Sequence, residues 1–457
     1  MTQRNHAGRS PEGAIRGLPG RESVITALME SPSFSLFAAR VVAFGITFMV
    51  PLILVRLLTI EEFGLYKQAF LLHSTLFVIL QFGLPASLLY FAVHDQEARP
   101  AYVLQTIILL TALAILGSGL LFGLAWWGPR AFSLSTLRPF IPLLSGLLAV
   151  SLLASPFEPL LLATRAFRLA AGVHLGFEAF RALLMTAAAG LVGGVSSILI
   201  ASIVWGGARC LGMGVCLAKF GIALPRRLDP ETLGRQCNYA LPYALGVIAL
   251  TCAEGVHLYV VAFSFPLAVF AIYSVGVLQI PLTDLAFHSL ADVALVHLTE
   301  LAQEHRFRDM RARISRTAGQ LVTLLVPFYV WLALNADGLI RTLYTDRFAA
   351  SIPIFQISLL TIPLTAVAVD YVPRAFADTP FLLAVNTFRL FLALALVIPL
   401  VAILGPLGAA IGTVATLALT RAVMMVRVSR LTRTTLFSLL PWGHLLRVGL
   451  AFPGVPI

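Results

Sequence analysis

Long apolar runs separated by short polar breaks make up most of the sequence. Runs of close to 20 residues recur almost from end to end, and about 20 residues of α-helix cross the hydrocarbon core of a bilayer. Segments such as 104–127 and 392–404 are apolar on every face. The alternation with a period of two that a membrane β-barrel requires is absent. The pattern predicts an all-α integral membrane protein.

We predict twelve transmembrane helices in two lobes of six around a central cavity. The longest polar break near the middle, KFGIALPRRLDPETLGRQC at 219–237, separates the sixth span from the seventh. Two related halves are a recurrent plan in transporters, in which the substrate site forms between halves that rock against each other. The predicted spans are 33–55, 68–92, 101–127, 139–163, 170–192, 196–218, 238–263, 267–290, 317–336, 351–371, 380–403 and 407–426.

The segments outside the spans complete the predicted organisation. Residues 1–32 lack an apolar core segment, so we expect a disordered basic cytoplasmic tail rather than a signal peptide. We expect the N-terminal lobe at 33–219, a cytoplasmic linker at 220–237, the C-terminal lobe at 238–430 and a cytoplasmic tail at 431–457.

Charge distribution predicts the orientation of the chain. The sequence has 457 residues, 59% of them hydrophobic and only 12% charged, with a formal net charge of +11. With the amino terminus inside, 21 of the 32 Lys and Arg fall in cytoplasmic segments, 6 in outer loops and 5 within spans. Because cytoplasmic loops collect basic residues, both termini are expected in the cytoplasm. The positive charge therefore does not indicate nucleic-acid binding.

Short loops exclude several functional classes. No predicted loop exceeds about 26 residues, and the sequence has no GxxxxGK[ST] phosphate loop and no HExxH metal box. We therefore predict no cofactor and no metal site, and expect the protein not to be an enzyme. The longest outer loop, about 337–350, has few acidic and basic residues for catalysis.

Local motifs predict helix starts and close packing. Thr59 and Glu62 have the spacing of a capping box at the start of a helix. The segments 55–70 and 261–278 resemble each other weakly, because each is a short turn that opens an aromatic-rich helix. Two pairs of glycines, Gly408 with Gly412 and Gly190 with Gly194, have the small-xxx-small spacing of closely packed helices.

Several segments resemble the bacterial polysaccharide-transport flippases in order and spacing. They are LVRLLTIEEFGLYKQAF at 54–70, LQFGLPASLLYFAVHD at 80–95, NYALPYALGVIAL at 238–250, VFAIYSVGVLQIPL at 269–282 and LVPFYVWLALNADGLIRTLYTDRFAASIPIFQI at 325–357. That family, which includes O-antigen flippases, belongs to the multidrug/oligosaccharidyl-lipid/polysaccharide (MOP) exporter superfamily.

The resemblance implies two six-helix lobes and transfer of undecaprenyl-diphosphate-linked oligosaccharide from the cytoplasmic to the periplasmic leaflet. The product would serve O-antigen, capsule or exopolysaccharide assembly. The related lipid II flippases have fourteen spans, so a peptidoglycan precursor is disfavoured. Ala271 stands where many relatives have the glycine of a Gly-x-Tyr motif.

Charged residues inside the spans are the candidates for chemistry, because a charge at the bilayer centre costs about 2.5–3.5 kcal/mol or more. Arginine binds phosphate oxygens in bidentate fashion, so we predict that a lipid diphosphate contacts Arg40, Arg181, Arg209 and Arg389. The alternative is that each pairs with a carboxylate, as Glu178 and Arg181 can on one helix. Arg421 is expected to reach the inner surface.

Transport without a nucleotide site needs another driving force. Intramembrane carboxylates often serve ion coupling in transporters, so Glu178, Glu254 and Asp284 are the candidate coupling residues. A proton or sodium gradient, the membrane potential and consumption of product outside all remain open. Interhelical hydrogen bonding is the alternative role of these acids.

The sequence as a whole favours an inner-membrane flippase whose partners are a lipid-linked oligosaccharide and membrane lipids. A polysaccharide polymerase and a chain-length regulator remain open as protein partners. A cation-coupled multidrug antiporter of the same superfamily is one alternative, since a fold does not determine a substrate. A membrane enzyme that transfers or polymerises lipid-linked sugars is the other.

The predicted topology is testable with a reporter fused after residue 457. A reporter that is active only in the cytoplasm is expected to give a signal, because basic residues concentrate on the side that carries both termini. A reporter at the same position that is active only in the periplasm serves as the control. Activity of the periplasmic reporter alone would overturn the topology.

Overall fold

The structure is a computed structural model that describes residues 32–127, 136–225, 228–278, 280–435 and 439. Within these residues the chain is helical and forms no strand. Residues 1–31 of the expected N-terminal tail lie outside the described residues. So does most of the expected C-terminal tail at 431–457.

Helices α1 to α8 form the N-terminal lobe and α9 to α18 the C-terminal lobe. Those of the first lobe are α1 Pro32–Leu57, α2 Ile60–Gln81, α3 Leu84–His94, α4 Arg99–Trp127, α5 Ile141–Ala154, α6 Phe157–Ala163, α7 Phe167–Leu191 and α8 Gly194–Lys219. Those of the second are α9 Pro230–Ser264, α10 Leu267–Gly276, α11 Pro281–Gln303, α12 Phe307–Leu334, α13 Ala336–Tyr344, α14 Ile352–Leu359, α15 Thr361–Ala366, α16 Tyr371–Ala375, α17 Thr379–Leu404 and α18 Pro406–Leu431. Short 3₁₀ turns occupy Arg138–Phe140 and Asp346–Ser351.

The all-α membrane fold is confirmed. Eleven helical stretches of the described chain are long and apolar enough to cross a membrane. The 25-residue helix α7 lies at the remaining predicted span and has Arg168, Glu178 and Arg181 along its length. The protein is therefore a multi-pass membrane protein.

Two predicted spans are interrupted rather than continuous. The span at 68–92 breaks at Phe82 and Gly83, which have φ angles of 48° and 68°. The span at 267–290 breaks between α10 and α11, just before Pro281, because proline has no N–H to continue the ladder of helical hydrogen bonds. Helix α9 begins at Pro230, so residues 230–237 of the expected linker are helical.

Local motifs have mixed outcomes. The capping box is confirmed, since the Thr59 hydroxyl accepts from the Glu62 N–H and the Glu62 carboxylate accepts from the Thr59 N–H. The Gly408 pair is also confirmed: a Cβ at Gly408 would lie 1.9 Å from the Leu400 carbonyl oxygen. The Gly190 and Gly194 prediction is wrong, because Gly194 opens α8 after a turn and a Cβ added there would meet no packed atom within 4 Å.

The two lobes meet where α2 packs against α10. The contact is close, since a Cβ at Gly64 would lie 2.2 Å from the carbonyl oxygen of Leu267. Gly64 and Leu267 belong to the two weakly similar segments, 55–70 and 261–278. The lobe boundary is therefore built from equivalent helices of the two halves, and only glycine allows this approach at position 64.

Candidate functional site

An ion-pair network joins three helices of the N-terminal lobe. The Glu158 carboxylate, in α6, accepts from Arg40 Nη2 of α1 at 2.6 Å. Its other oxygen lies 3.4 Å from His174 Nδ1 of α7. The Arg40 side chain is half exposed, whereas the Glu158 side chain is mostly covered. Arg40 is therefore paired with a carboxylate, and its contact with a lipid diphosphate stays a prediction.

A second network lies one turn further along α7. Arg181 Nη2 is 2.7 Å from Glu178 Oε2, which confirms the pairing expected from their spacing. Thr47 of α1 donates to Glu178 at 3.0 Å and accepts from Arg181 at 3.1 Å. The Arg181 Nε atom is buried without a hydrogen-bond partner. One donor of this arginine is therefore unused.

Arg209 of α8 makes no ion pair with any described residue. Its guanidinium lies 5.0 Å from the Trp205 ring centre, and that of Arg181 lies 5.2 Å from the same ring. Trp205 is held in place because its Nε1 donates to the Phe177 carbonyl at 2.8 Å. A small pocket beside this group is lined by Arg209, Glu158, His174 and Glu178.

Lys67 is a cation that the sequence interpretation placed in an outer loop. The structure puts it in α2, where its ammonium lies 5.4 Å from the Phe63 ring centre and 6.0 Å from that of Tyr66. Such distances suit cation–π contacts. The capping box at Thr59 was the signal that could have found it, since a helix that begins at residue 60 includes residue 67.

Cations exceed carboxylates inside the N-terminal lobe. Arg40, Arg181 and Arg209 stand against Glu158 and Glu178, which leaves an excess of one positive charge if His174 is neutral. We call these three cations and two acids, together with Thr47, His174 and Trp205, the N-lobe cluster.

A chamber of about 340 Å³ lies within the C-terminal lobe. Its walls come from α9, α11, α14, α15, α17 and α18, and include Glu254, Asp284, Arg389 and Arg421. Arg389 Nη1 lies 3.6 Å from Glu254 Oε1. Asp284 has no ion pair within the described part of the chain. Threonine hydroxyls complete the polar lining.

The expectation for Arg421 is wrong. Its guanidinium binds the Asp370 carboxylate and is mostly buried, rather than reaching the inner surface. Counting Asp370, the chamber has three acids against two arginines. The chamber is therefore opposite in charge to the N-lobe cluster.

The four arginines predicted as one site are divided between the lobes. Arg40, Arg181 and Arg209 belong to the N-lobe cluster, whereas Arg389 lines the C-lobe chamber. Of the three coupling candidates, Glu254 and Asp284 line the chamber, and Glu178 is bonded to Arg181 and Thr47. No group of three metal-ligating side chains occurs among the described residues.

Residues 53–353 match the family model described as "Polysaccharide biosynthesis protein". The chain belongs to this family. No curated protein matches the chain.

Solved structures with a similar fold are transporters of the MOP superfamily. An inward-facing multidrug resistance MATE transporter is 15% identical, with a TM-score of 0.66, over 85% of this chain and 96% of that chain. The lipid II flippase MurJ, in an inward closed conformation, is 14% identical, with a TM-score of 0.66, over 91% of this chain and 90% of that one. An outward-facing MATE transporter is 15% identical, with a TM-score of 0.58, over 90% and 99%. The chain therefore shares its fold with these transporters.

Two arginines join the lobes at what we call the outer rim, named after the predicted topology and formed by the end of α1 and residues 336–351. Arg56 donates to the carbonyl oxygens of Leu343 at 2.9 Å and Thr342 at 2.7 Å. Arg347 donates in return to the Val55 carbonyl at 2.8 Å. Each guanidinium thus satisfies carbonyls at a helix C-terminus of the other lobe, where free acceptors and the negative dipole end attract cations.

Side-chain hydrogen bonds join the lobes at the inner rim, formed by α3, the start of α4 and the start of α9. Gln236 of α9 donates to Thr106 at 2.8 Å and to Ser87 at 3.2 Å. Gln105 of α4 donates to Thr232 at 2.6 Å.

The start of α9 is further ordered by Asp229, the N-cap of the helix. The Thr232 hydroxyl and the Glu231 N–H lower the pKa of the Asp229 carboxyl below its usual value. The Tyr90 and Tyr239 rings stack with centres 4.8 Å apart across the same boundary.

Removing the outer rim arginines is expected to open that side of the protein. A double variant, Arg56→Ala with Arg347→Ala, loses four hydrogen bonds between the lobes. Each hydrogen bond contributes about 1 kcal/mol. Loss of most of this stabilisation should increase the population of the open state by tenfold or more. The measurement is the spin-label distance between positions 127 and 334 in nanodiscs, which should lengthen.

Arg138→Ala is the matched control, since Arg138 donates to the Ala125 carbonyl within one lobe. Its distance distribution should equal that of the parent protein. Equal distributions for the parent and the double variant would show that the arginines do not hold the rim closed.

Proposed function

We propose that the protein flips an undecaprenyl-diphosphate-linked oligosaccharide from the cytoplasmic to the periplasmic leaflet of a bacterial inner membrane. Both termini lie in the cytoplasm in this proposal. The family match and the fold shared with the lipid II flippase MurJ support it. O-antigen, capsule and exopolysaccharide assembly all use such a lipid, and the proposal covers this substrate class rather than one sugar.

The observation that carries the proposal is the excess of cations in the N-lobe cluster. Charges in a membrane are costly and usually pair, yet Arg209 has no carboxylate within ion-pair distance in the described chain, and Arg181 has a free Nε donor. An anion near these two groups would compensate the unpaired charge. A diphosphate diester carries two negative charges, so the net positive charge of the cluster would attract it.

Trp205 orders the two guanidinium groups that would receive the diphosphate. Both lie against one indole, whose position is fixed by its bond to the Phe177 carbonyl. Stacked guanidinium planes lose little freedom on binding and present paired donors to phosphate oxygens. The cluster would therefore recognise the diphosphate, while the polyprenyl tail stays in lipid.

In this proposal, alternating access results from breaking the contacts between the lobes at one rim while those at the other rim stay in place. The lobes touch through hydrogen bonds at both rims and through ring stacking at the inner rim, and one set must break for the cluster to open to one side. Because such contacts are individually weak, the two openings can have similar free energies.

The C-lobe chamber is the candidate coupling site. Its acids outnumber its arginines, and Asp284 has no ion pair in the described chain. A proton or a sodium ion would compensate that charge. Opposite charges in the two lobes would allow one lobe to bind the anionic substrate and the other the driving cation.

Arg209→Ala is expected to weaken binding of the lipid-linked substrate by about 10- to 100-fold, the value of a charge-assisted hydrogen bond. Arg209→Lys should retain part of the activity, since it keeps the charge without the planar fork. The measurement is the fraction of lipid-linked glycan trapped on the inner leaflet of cells that lack their own flippase, with protein level determined by immunoblot.

Arg308→Ala removes one exposed arginine outside the spans and serves as the matched control; it should export glycan normally. Normal export by Arg209→Ala, Arg181→Ala and the double variant at normal protein levels would refute the diphosphate site. Loss of export in the Arg308 control as well would show that net charge, not the cluster, matters.

Glu254→Gln is expected to remove the dependence of flipping on a cation gradient, because the chamber loses one titratable acid. The measurement is the flipping rate in proteoliposomes with an imposed proton or sodium gradient. Asp292→Asn, an exposed acid on α11, is the control and should keep the dependence. Flipping by the parent protein that ignores proton, sodium and voltage gradients would contradict the coupling role.

A further inference from the structure

A groove on the outside of the C-terminal lobe runs between α17 and α18. It has a volume of about 580 Å³ and is lined by Phe381, Phe388, Leu419, Ala422, Val423, Val426, Arg427 and Arg430. The chamber lies on the opposite face of α18, where Leu417 and Arg421 line it. The groove is therefore separate from both sites described above.

The walls of the groove are apolar over the length of an acyl chain. Phe388, Leu419, Val423 and Val426 are all substantially exposed. Leu419, Val423 and Val426 follow α18 upward from Arg430, and the eleven helical steps from residue 430 back to residue 419 span about 16 Å at 1.5 Å each. Phe388 faces the groove from α17. An apolar surface of this shape inside a bilayer suits a hydrocarbon chain.

Two arginines, Arg427 and Arg430, lie at the basic end of the groove and differ in whether they are paired. Arg427 donates from Nε and Nη2 to the same oxygen of Asp378, at 2.8 and 2.7 Å, and lies against the Phe381 ring. Its Nη1 group has no partner within the described residues. Arg430 is exposed and makes no ion pair there. With Asp378 counted, this end has one net positive charge.

We propose that the groove binds one anionic phospholipid of the bilayer. Its phosphate lies between Arg430 and Arg427 Nη1, and one acyl chain lies along Phe388, Leu419 and Val423. A single net positive charge matches one phosphodiester, and basic pockets between transmembrane helices bind such headgroups. In the predicted topology the basic end faces the cytoplasm, so the lipid belongs to the inner leaflet. The site is independent of which lipid the transporter flips.

Native mass spectrometry of the delipidated full-length protein tests the site. Dioleoylphosphatidylglycerol is the anionic probe and dioleoylphosphatidylcholine the zwitterionic control. We expect one phosphatidylglycerol to bind more tightly than phosphatidylcholine. Arg430→Ala, which alters only an exposed side chain, should weaken that binding about fivefold and leave phosphatidylcholine binding unchanged.

Two further variants separate the headgroup from the groove. Val423→Trp, which fills the apolar wall, should weaken binding of both lipids. Arg308→Ala, an exposed arginine elsewhere on the inner side, should change neither.

Three results would overturn the proposal. The first is equal binding of the two lipids, or an Arg430→Ala variant that binds phosphatidylglycerol as the parent does. The second is displacement of phosphatidylglycerol by a lower concentration of undecaprenyl phosphate, which would make the groove a polyprenyl site. The third is a dimer that excludes phosphatidylglycerol, which would make it a protein interface.

Discussion

The free-energy cost of charge inside a bilayer governs the organisation of this membrane protein. A single uncompensated charge near the bilayer centre costs about 2.5–3.5 kcal/mol or more, and the described spans contain several arginines. Most of them are satisfied locally: Arg40 by Glu158, Arg181 by Glu178, Arg421 by Asp370. The exceptions are therefore informative, because a cation without a carboxylate needs another source of compensation.

Those exceptions have opposite signs in the two lobes. In the N-terminal lobe Arg209 and Lys67 are cations supported by aromatic rings instead of acids. In the C-terminal lobe Asp284 is an acid without an ion pair in the described chain. Aromatic support keeps a guanidinium or ammonium in place while leaving its charge available to a ligand. In the proposed mechanism, division of the charges between two lobes gives a physical basis for linking an anionic substrate to a cation.

Much of the fold could be predicted from the sequence, because hydrophobic runs report helices directly. The twelve spans, the Thr59 capping box and the Glu178–Arg181 pair all depend on local spacing. The composition of the site could not be predicted in the same way. Arg389 was grouped with the N-lobe arginines because sequence gives no distance between lobes, and Trp205 looked like one more apolar residue. Arg56 and Arg347 were counted as loop charges, although their partners lie almost 300 positions away in the chain.

Photo-crosslinking from the N-lobe cluster tests the central claim most directly. A photoreactive phenylalanine at position 177, beside Trp205, is compared with one at position 417 in the C-lobe chamber, in membranes that contain radiolabelled polyprenyl-diphosphate oligosaccharide. Labelled adducts from position 177 and none from position 417 are the expected result. Adducts from position 417 alone would contradict the account, because the anionic head would then cross the membrane through the lobe that carries excess negative charge.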